Sequence, residues 1–330
     1  MRVFATFAVM ILHIAAQDWR VTNVKSFEWN IFNFYDSIVR WAVPSFVMIS
    51  GSLFLSRDIP LKKIFSKYIF RIVTAFLFWS FIYAAAMYIM KDRDIIKLFG
   101  RFIRGHYHLW FLFMITGLYM IVPFTKKIAE SEFLTKYFLV LAFIFTFFLP
   151  QSVNFISVFS EKYGTFANNI LDNFHFHFVM GFTGYFLLGY FLNKIDITKK
   201  QERIIYFLGI CGFIATILMS VMASWIKNEP NRIFYGSITV NVLFESVAVF
   251  IFFKKHFNKS SKIILALSKY SFGAYLVHAA VIKVIKFCGL NTLSFNPILS
   301  VPVIAVIVFV FSFSISAILN HIPLLKKYIV

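Results

Sequence analysis

Arg2 and His13 stand eleven residues apart on the first apolar stretch of the chain. At about 100° and 1.5 Å per residue, a helix carrying both returns to within ~20° of its starting direction after a climb of about 16 Å. A cation then sits at a membrane edge, with an imidazole above it at mid-membrane depth. Ionisable groups inside a bilayer are costly and mark functional positions, and imidazole exchanges protons near neutral pH. The pair reads as chemistry performed within the bilayer. The competing account is a hydrogen bond from His13 to a neighbouring helix, with Arg2 only a charge that sets topology.

Other residues carry similar pairs of readings. Ser271, Tyr275 and His278 fall at i, i+4 and i+7, one face of a helix, where they would line a substrate path or hydrogen-bond an adjacent helix. Arg40 follows Asp36 by four positions and is placed to pair with it, yet an arginine entering an apolar run also suits a pore-facing role. Glu245 is isolated in an apolar run, needs a partner or a water cavity, and has no cation that the sequence identifies. His106 with His108 and His175 with His177 suggest a metal site. Residues two apart point the same way only on a strand, and neither stretch reads as one, so we take these as interfacial histidines and expect no metal. Trp19, Trp29, Trp110 and Trp225 read first as interface anchors.

The elements that must position these residues follow from composition. The 330 residues are 60% hydrophobic, 20% aromatic and 14% charged, with a mean hydropathy of +0.78. A soluble domain carries about 25% charge. The chain is therefore an all-α, polytopic membrane bundle, expected as a single domain over 1–330. The net charge of +19 comes from short Lys and Arg clusters between apolar runs, the pattern of cytosolic loops rather than of a nucleic-acid surface. Cys211 and Cys288 lie in or beside apolar runs without metal spacing, so neither a disulfide framework nor a Cys-ligated metal is expected. No cleavable signal peptide, low-complexity tract or internal repeat is visible.

Apolar runs of about 17 to 25 residues give ten expected spans: 3–17, 37–55, 70–90, 108–124, 134–150, 174–193, 204–226, 233–253, 263–285 and 299–320. The first is short, and Arg2 directly after Met1 suggests either a start placed about ten residues late or a bare cytosolic end. Lys62, Lys63 and Lys67, Lys126 and Lys127, Lys199 and Lys200, Lys254 and Lys255, and Lys326 and Lys327 fall on one side. That side is expected to be the cytosol, with both termini inside. The loop 91–107 dissents, because Lys91, Arg93, Lys97, Arg101 and Arg104 fall outside and would suit an anionic glycan or lipid head group.

Within these spans, Arg2-Val-Phe-Ala-Thr-Phe-Ala-Val-Met-Ile-Leu-His13 resembles the Arg-x10-His first helix of the membrane-bound acyltransferase family 3, which O-acylates cell-surface glycans and other exported acceptors. Four stretches agree in order: Arg40-Trp-Ala-Val-Pro44-Ser-Phe-Val-Met-Ile-Ser50-Gly51, Lys67-Tyr-Ile-Phe-Arg71 followed by Trp79, His108-Leu-Trp110-Phe-Leu, and Ser271-Phe-Gly-Ala-Tyr275-Leu-Val-His278. The resemblance covers almost the whole chain and is greatest to the branch that acetylates enterobacterial-type common-antigen glycans. Tyr68 stands where the family's Arg-x-x-Arg pair has its first arginine. Lys67 and Arg71 remain, and a lysine neutralises phosphate as a point charge without the bidentate fork of arginine.

The resemblance implies acyl transfer from cytosolic acetyl-CoA, a substrate rather than a bound cofactor, to a glycan or lipid-linked saccharide at a bacterial inner membrane. Such transfer needs a base for the alcohol proton, a positive site for the donor's phosphates and donors for the oxyanion. His13 is the expected base, by direct attack or through an acetyl-histidine. Arg2, Lys67 and Arg71 are expected to bind the donor, and Arg40, Trp110, Ser271, Tyr275 and His278 to contact substrate. Two other functions fit the same features, transfer of succinyl or another acyl group and non-enzymatic glycan or lipid transport. His13 and Asp18 also spell the His-x4-Asp signature of soluble-faced glycerolipid acyltransferases. Five helical residues turn about 140°, so the side chains diverge, and we read that match as coincidence.

Overall fold

The computed structural model describes residues 1–173, 181–257 and 261–330, and no strand occurs among them. The helices begin with α1 (Arg2–Trp19), α2 (Phe27–Ser37) and α3 (Ala42–Leu55). Next come α4 (Leu61–Met90), α5 (Ile95–Arg104), α6 (Trp110–Met120), α7 (Val122–Glu130) and α8 (Glu132–Phe159). Then follow α9 (Glu161–Asp172), α10 (Thr183–Lys194), α11 (Lys199–Lys227) and α12 (Val240–His256). The chain ends in α13 (Lys262–Phe287), α14 (Pro297–His321) and α15 (Pro323–Tyr328).

Each of the ten expected apolar runs overlaps a helix within the described residues, though 233–239 precede the helix that starts at Val240. Among the described residues, six helical stretches are long and apolar enough to cross a membrane, or seven if α6 and α7, bent by 57°, form one span. The protein is thus a multi-pass, all-helical membrane protein. The run expected at 37–55 is the later part of a longer stretch, because α2 and α3 together form Phe27–Leu55. Helices α1, α10 and α12 are not among the six. Arg2, His13, Gln17 and Asp18 make α1 polar. Helices α10 and α12 have 12 and 17 residues, fewer than the roughly 20 that span a hydrocarbon core; the start of the 174–193 run lies outside the described residues.

The connection read as loop 91–107 contains α5. Asp94 starts it by accepting from the backbone N–H groups of Ile96 and Lys97 at 2.9 and 3.2 Å, an N-cap. Ile95, Ile96, Phe99 and Ile103 are exposed on one flank, while Phe102 packs edge-on to Phe81 of α4 at 6.3 Å between ring centroids. On α5, an exposed apolar flank beside basic residues is the pattern suited to a membrane interface, where such a flank would face lipid and the charges water. Its basic residues are partly neutralised: Arg101 donates a fork of hydrogen bonds to Asp92 at 2.6 and 2.8 Å, and Lys97 pairs with Asp94 at 3.4 Å. The Arg101 hydrogen bonds hold the Asp92 carboxyl below its ordinary range.

The chain forms two compact units, one from residues 1–56, 125–260 and 291–305, the other from 57–124, 261–290 and 306–330. In the first, α3 and α10 meet backbone to backbone. A Cβ on Gly51 would lie 1.8 Å from the Phe186 carbonyl oxygen and one on Gly189 2.1 Å from that of Met48. Small residues let membrane helices approach this closely, where van der Waals contact replaces the hydrophobic effect as the source of cohesion. In the second unit, α4 opens with a π-helical turn, Ile64–Ile69, which carries Lys67 and Tyr68.

Candidate active site

In the first unit, α1 is one unbroken helix of 18 residues, so Arg2 and His13 share its stripe. Arg2 is exposed at the helix start and His13 is half-buried. One turn beyond His13, the Oε1 of Gln17 is buried with no hydrogen-bond partner among the described residues. Asp18 does not join this stripe. Its carboxylate accepts from Thr292, so the helical divergence expected for the His-x4-Asp spelling holds.

Arg40 realises the pairing read from its spacing. Its guanidinium donates to Asp36 and to the Tyr235 carbonyl at 3.1 Å, and lies 4.0 Å from the centroid of the Tyr235 ring. The Tyr235 hydroxyl donates to Asn33. Buried in the same cluster, Trp29 Nε1, Asp36 Oδ1 and Arg40 Nε have no partner among the described residues. Glu245 is fully buried and is held by neutral groups. It contacts the Thr216 hydroxyl, which also accepts from Asn241 Nδ2 at 2.7 Å.

The second unit holds the remaining candidates. Lys67 is exposed on the π-helical turn of α4. Arg71, one helical turn later, donates through Nη2 to the main-chain oxygen of Val330, and its guanidinium sits 5.6 Å from the Phe272 ring. Thr74 and Trp79 on the same helix donate to the carbonyls of Tyr328 and Ile329 at 2.6 and 3.2 Å. Trp110 is 44% exposed at the start of α6, the position of an interface anchor. Ser271 is buried and bonds back to the Leu267 carbonyl at 3.3 Å, a use internal to α13.

Tyr275 and His278 face the chain leading into α6. The Tyr275 hydroxyl donates to the His108 carbonyl, and the His108 and His278 rings meet edge to face at 5.0 Å. His106 Nδ1 lies 2.9 Å from His108 Nδ1, and its ring stacks on Tyr83 at 4.3 Å with 15° between planes. Gly105 makes this possible. It ends α5 at φ +76°, a conformation other residues rarely adopt, and a Cβ there would lie 2.8 Å from the Phe76 ring. Burial, with the charges of Lys283 and then His278, pushes His106 down to about 3, so its imidazole is neutral at physiological pH.

The sequence pairs His106 with His108 but not with His278 or Tyr83. The Tyr275 to His108 bond joins residues 167 positions apart, and no periodicity encodes such a contact. Among the described residues no group of three or more His, Cys, Asp or Glu is placed to hold a metal ion. His175 and His177 lie outside the described residues.

Compared with known families, the chain matches the acyltransferase domain of acyltransferase family 3 over residues 1–321, and it belongs to that family. No curated protein and no solved structure matches it significantly.

Proposed function

We propose that this member of acyltransferase family 3 moves an acetyl group from cytosolic acetyl-CoA to a hydroxyl of an exported cell-surface glycan, or of its lipid-linked precursor, of the common-antigen kind. The observation that carries the reading is the family match over residues 1–321; the unbroken α1 stripe of Arg2 and His13 supports it. His13 is the proposed base. Its imidazole, about 16 Å along the helix from Arg2, sits where it would take the alcohol proton within the bilayer. The buried Gln17 oxygen one turn away is an acceptor for a hydroxyl arriving there. Arg2, Lys67 and Arg71 are the proposed donor-binding cations, and the substrate contacts are Arg40, Trp110, Ser271, Tyr275 and His278. The proposed topology has about ten spans in a bacterial inner membrane with both termini in the cytosol, because the basic clusters alternate along the chain.

The test is purified protein in lipid nanodiscs with radiolabelled acetyl-CoA, read as label transferred to saccharide and as free thiol released. Wild-type transfer with succinyl-CoA a poor competitor supports the acetyl donor. His13→Ala is expected to lower turnover by roughly 10²-fold or more while leaving insertion intact, the usual effect of removing a general base. Wild-type turnover in that variant would remove His13 from the reaction. Glycan flux without any acyl donor would mark a transporter.

A further inference from the structure

The three clustered histidines of the second unit, His106, His108 and His278, differ in one respect that chemistry can use. His108 and His278 are buried at 1% and 0% exposure, whereas His106 is half-buried and reaches the surface of the cluster. The hydrogen bonds assign its tautomer. His108 Nε2 lies 3.3 Å from the Leu276 carbonyl, which only accepts, so that nitrogen carries the proton. In two neutral rings His108 Nδ1 is then the acceptor and His106 Nδ1 the donor across their 2.9 Å contact. The lone pair of His106 Nε2 is left open. The ring that presents it is held in place, because the Tyr83 beneath it donates to the Leu276 carbonyl at 2.8 Å and accepts from Ala280 N–H at 3.2 Å.

We propose that His106 is an alternative to His13 as the base of this protein, accepting at Nε2, in the stead of His13, the proton of the acyl acceptor's hydroxyl, and that His108 is its positioning residue. The proposal rests on the acyltransferase reading above. The acceptor oxygen attacks the acyl carbonyl carbon as its proton passes to Nε2. A C–O bond forms, the thioester C–S bond breaks, and the imidazolium returns the proton to the departing thiolate, so an ester and a free thiol result. Lys283, close enough to act on His106 electrostatically, supplies positive charge toward the oxyanion. As that oxyanion develops in a poorly screened site, the imidazole's affinity for the proton rises. A purely structural ring at this position needs neither the open Nε2 nor an acceptor on His108; a phenylalanine stacked on Tyr83 would do.

The second unit also carries Lys67 and Arg71. Twelve residues separate Arg71 from Tyr83 on α4, a climb of about 18 Å. An extended thioester arm anchored at the cations reaches along that distance.

The experiment uses the full chain in nanodiscs with acetyl-CoA and with membranes supplying the saccharide, scoring kcat and the KM for acetyl-CoA. His106→Gln and His106→Ala are expected to lower kcat roughly 10²-fold or more with KM unchanged. His108→Asn, whose Oδ1 replaces the Nδ1 lone pair, keeps most of the wild-type kcat, and His108→Leu does not. Wild-type kcat in a folded His106→Gln protein overturns the proposal. So does a loss that tracks melting temperature across all four variants, or failure of both His106 variants to fold, because either outcome makes the histidine structural. If the wild-type protein releases no thiol and transfers no label from any acyl-CoA, the acyltransferase reading falls and this role with it.

Discussion

Arg71 is the residue at which two functions compete for one side chain. One of its N–H groups is engaged by the main chain of Val330, and a guanidinium has five, so a phosphate can still be bound. If it holds the donor, Arg71→Ala raises the KM for acetyl-CoA about tenfold to more than a hundredfold, the size of one charge-assisted hydrogen bond. Salt weakens the same binding, because the contact lies at a wet edge. Lys67→Arg is tolerated. An unchanged, salt-insensitive KM with a lower melting temperature would mean that Arg71 only fastens the last residues to α4, and Arg2 would be the next cation to test. Glu245 makes a second case. Glu245→Gln keeps a polar partner for the Thr216 hydroxyl, whereas Glu245→Leu removes it and leaves that hydroxyl only the Gly212 carbonyl at 2.9 Å, a lost buried hydrogen bond of about 1 kcal/mol or more. We expect the first variant to melt near wild type and the second well below it, and equal melting would show the network to be dispensable. Sequence spacing made the Arg40 to Asp36 pair visible. It could not supply the Thr216 hydroxyl that meets Glu245, which lies 29 positions away on α11 and is neutral.

At the scale of elements, apolar runs located the long helices, and local chemistry ended them. The missed element was α5. Its run is too short and too charged to register as a span, and its three-sided character appears only once Phe102 is seen packed on α4. Helix contacts were equally hidden, since the glycines of α3 and α10 signal a close approach without saying to what. Gly189→Leu is predicted to separate these helices and lower the melting temperature by many degrees, because its Cβ would lie 2.1 Å from the Met48 carbonyl oxygen. Overpacking of this kind costs about 1–3 kcal/mol or more. Gly100→Ala is the control. Nothing lies within 4 Å of a Cβ there, and alanine favours the helix by roughly 1 kcal/mol. Similar melting of the two variants would refute the α3–α10 contact.

For the whole molecule, the positive-inside pattern predicts that a reporter fused after Val330 is active in the cytosol. Activity only on the outer side would invert the topology. The pairing of Arg101 and Lys97 with Asp92 and Asp94 reduces the charge of the dissenting connection and strengthens this expectation. Composition and run length were enough to read a multi-pass membrane protein. The bounds of the shorter expected runs were not legible, because α1, α10 and α12 are either polar or too short for hydropathy alone to bound them. Helix α5 carries one more implication. Ile96 and Phe99 are exposed on it, and Gly105 is the single residue between its end and His106. If that apolar flank rests in a lipid surface, the height of the imidazole would be tied to the level of the bilayer, and a thinner or thicker membrane would strain the connection like a spring and shift His106 relative to its partners on α13. The lipid around the protein would thereby become a variable of the proposed chemistry.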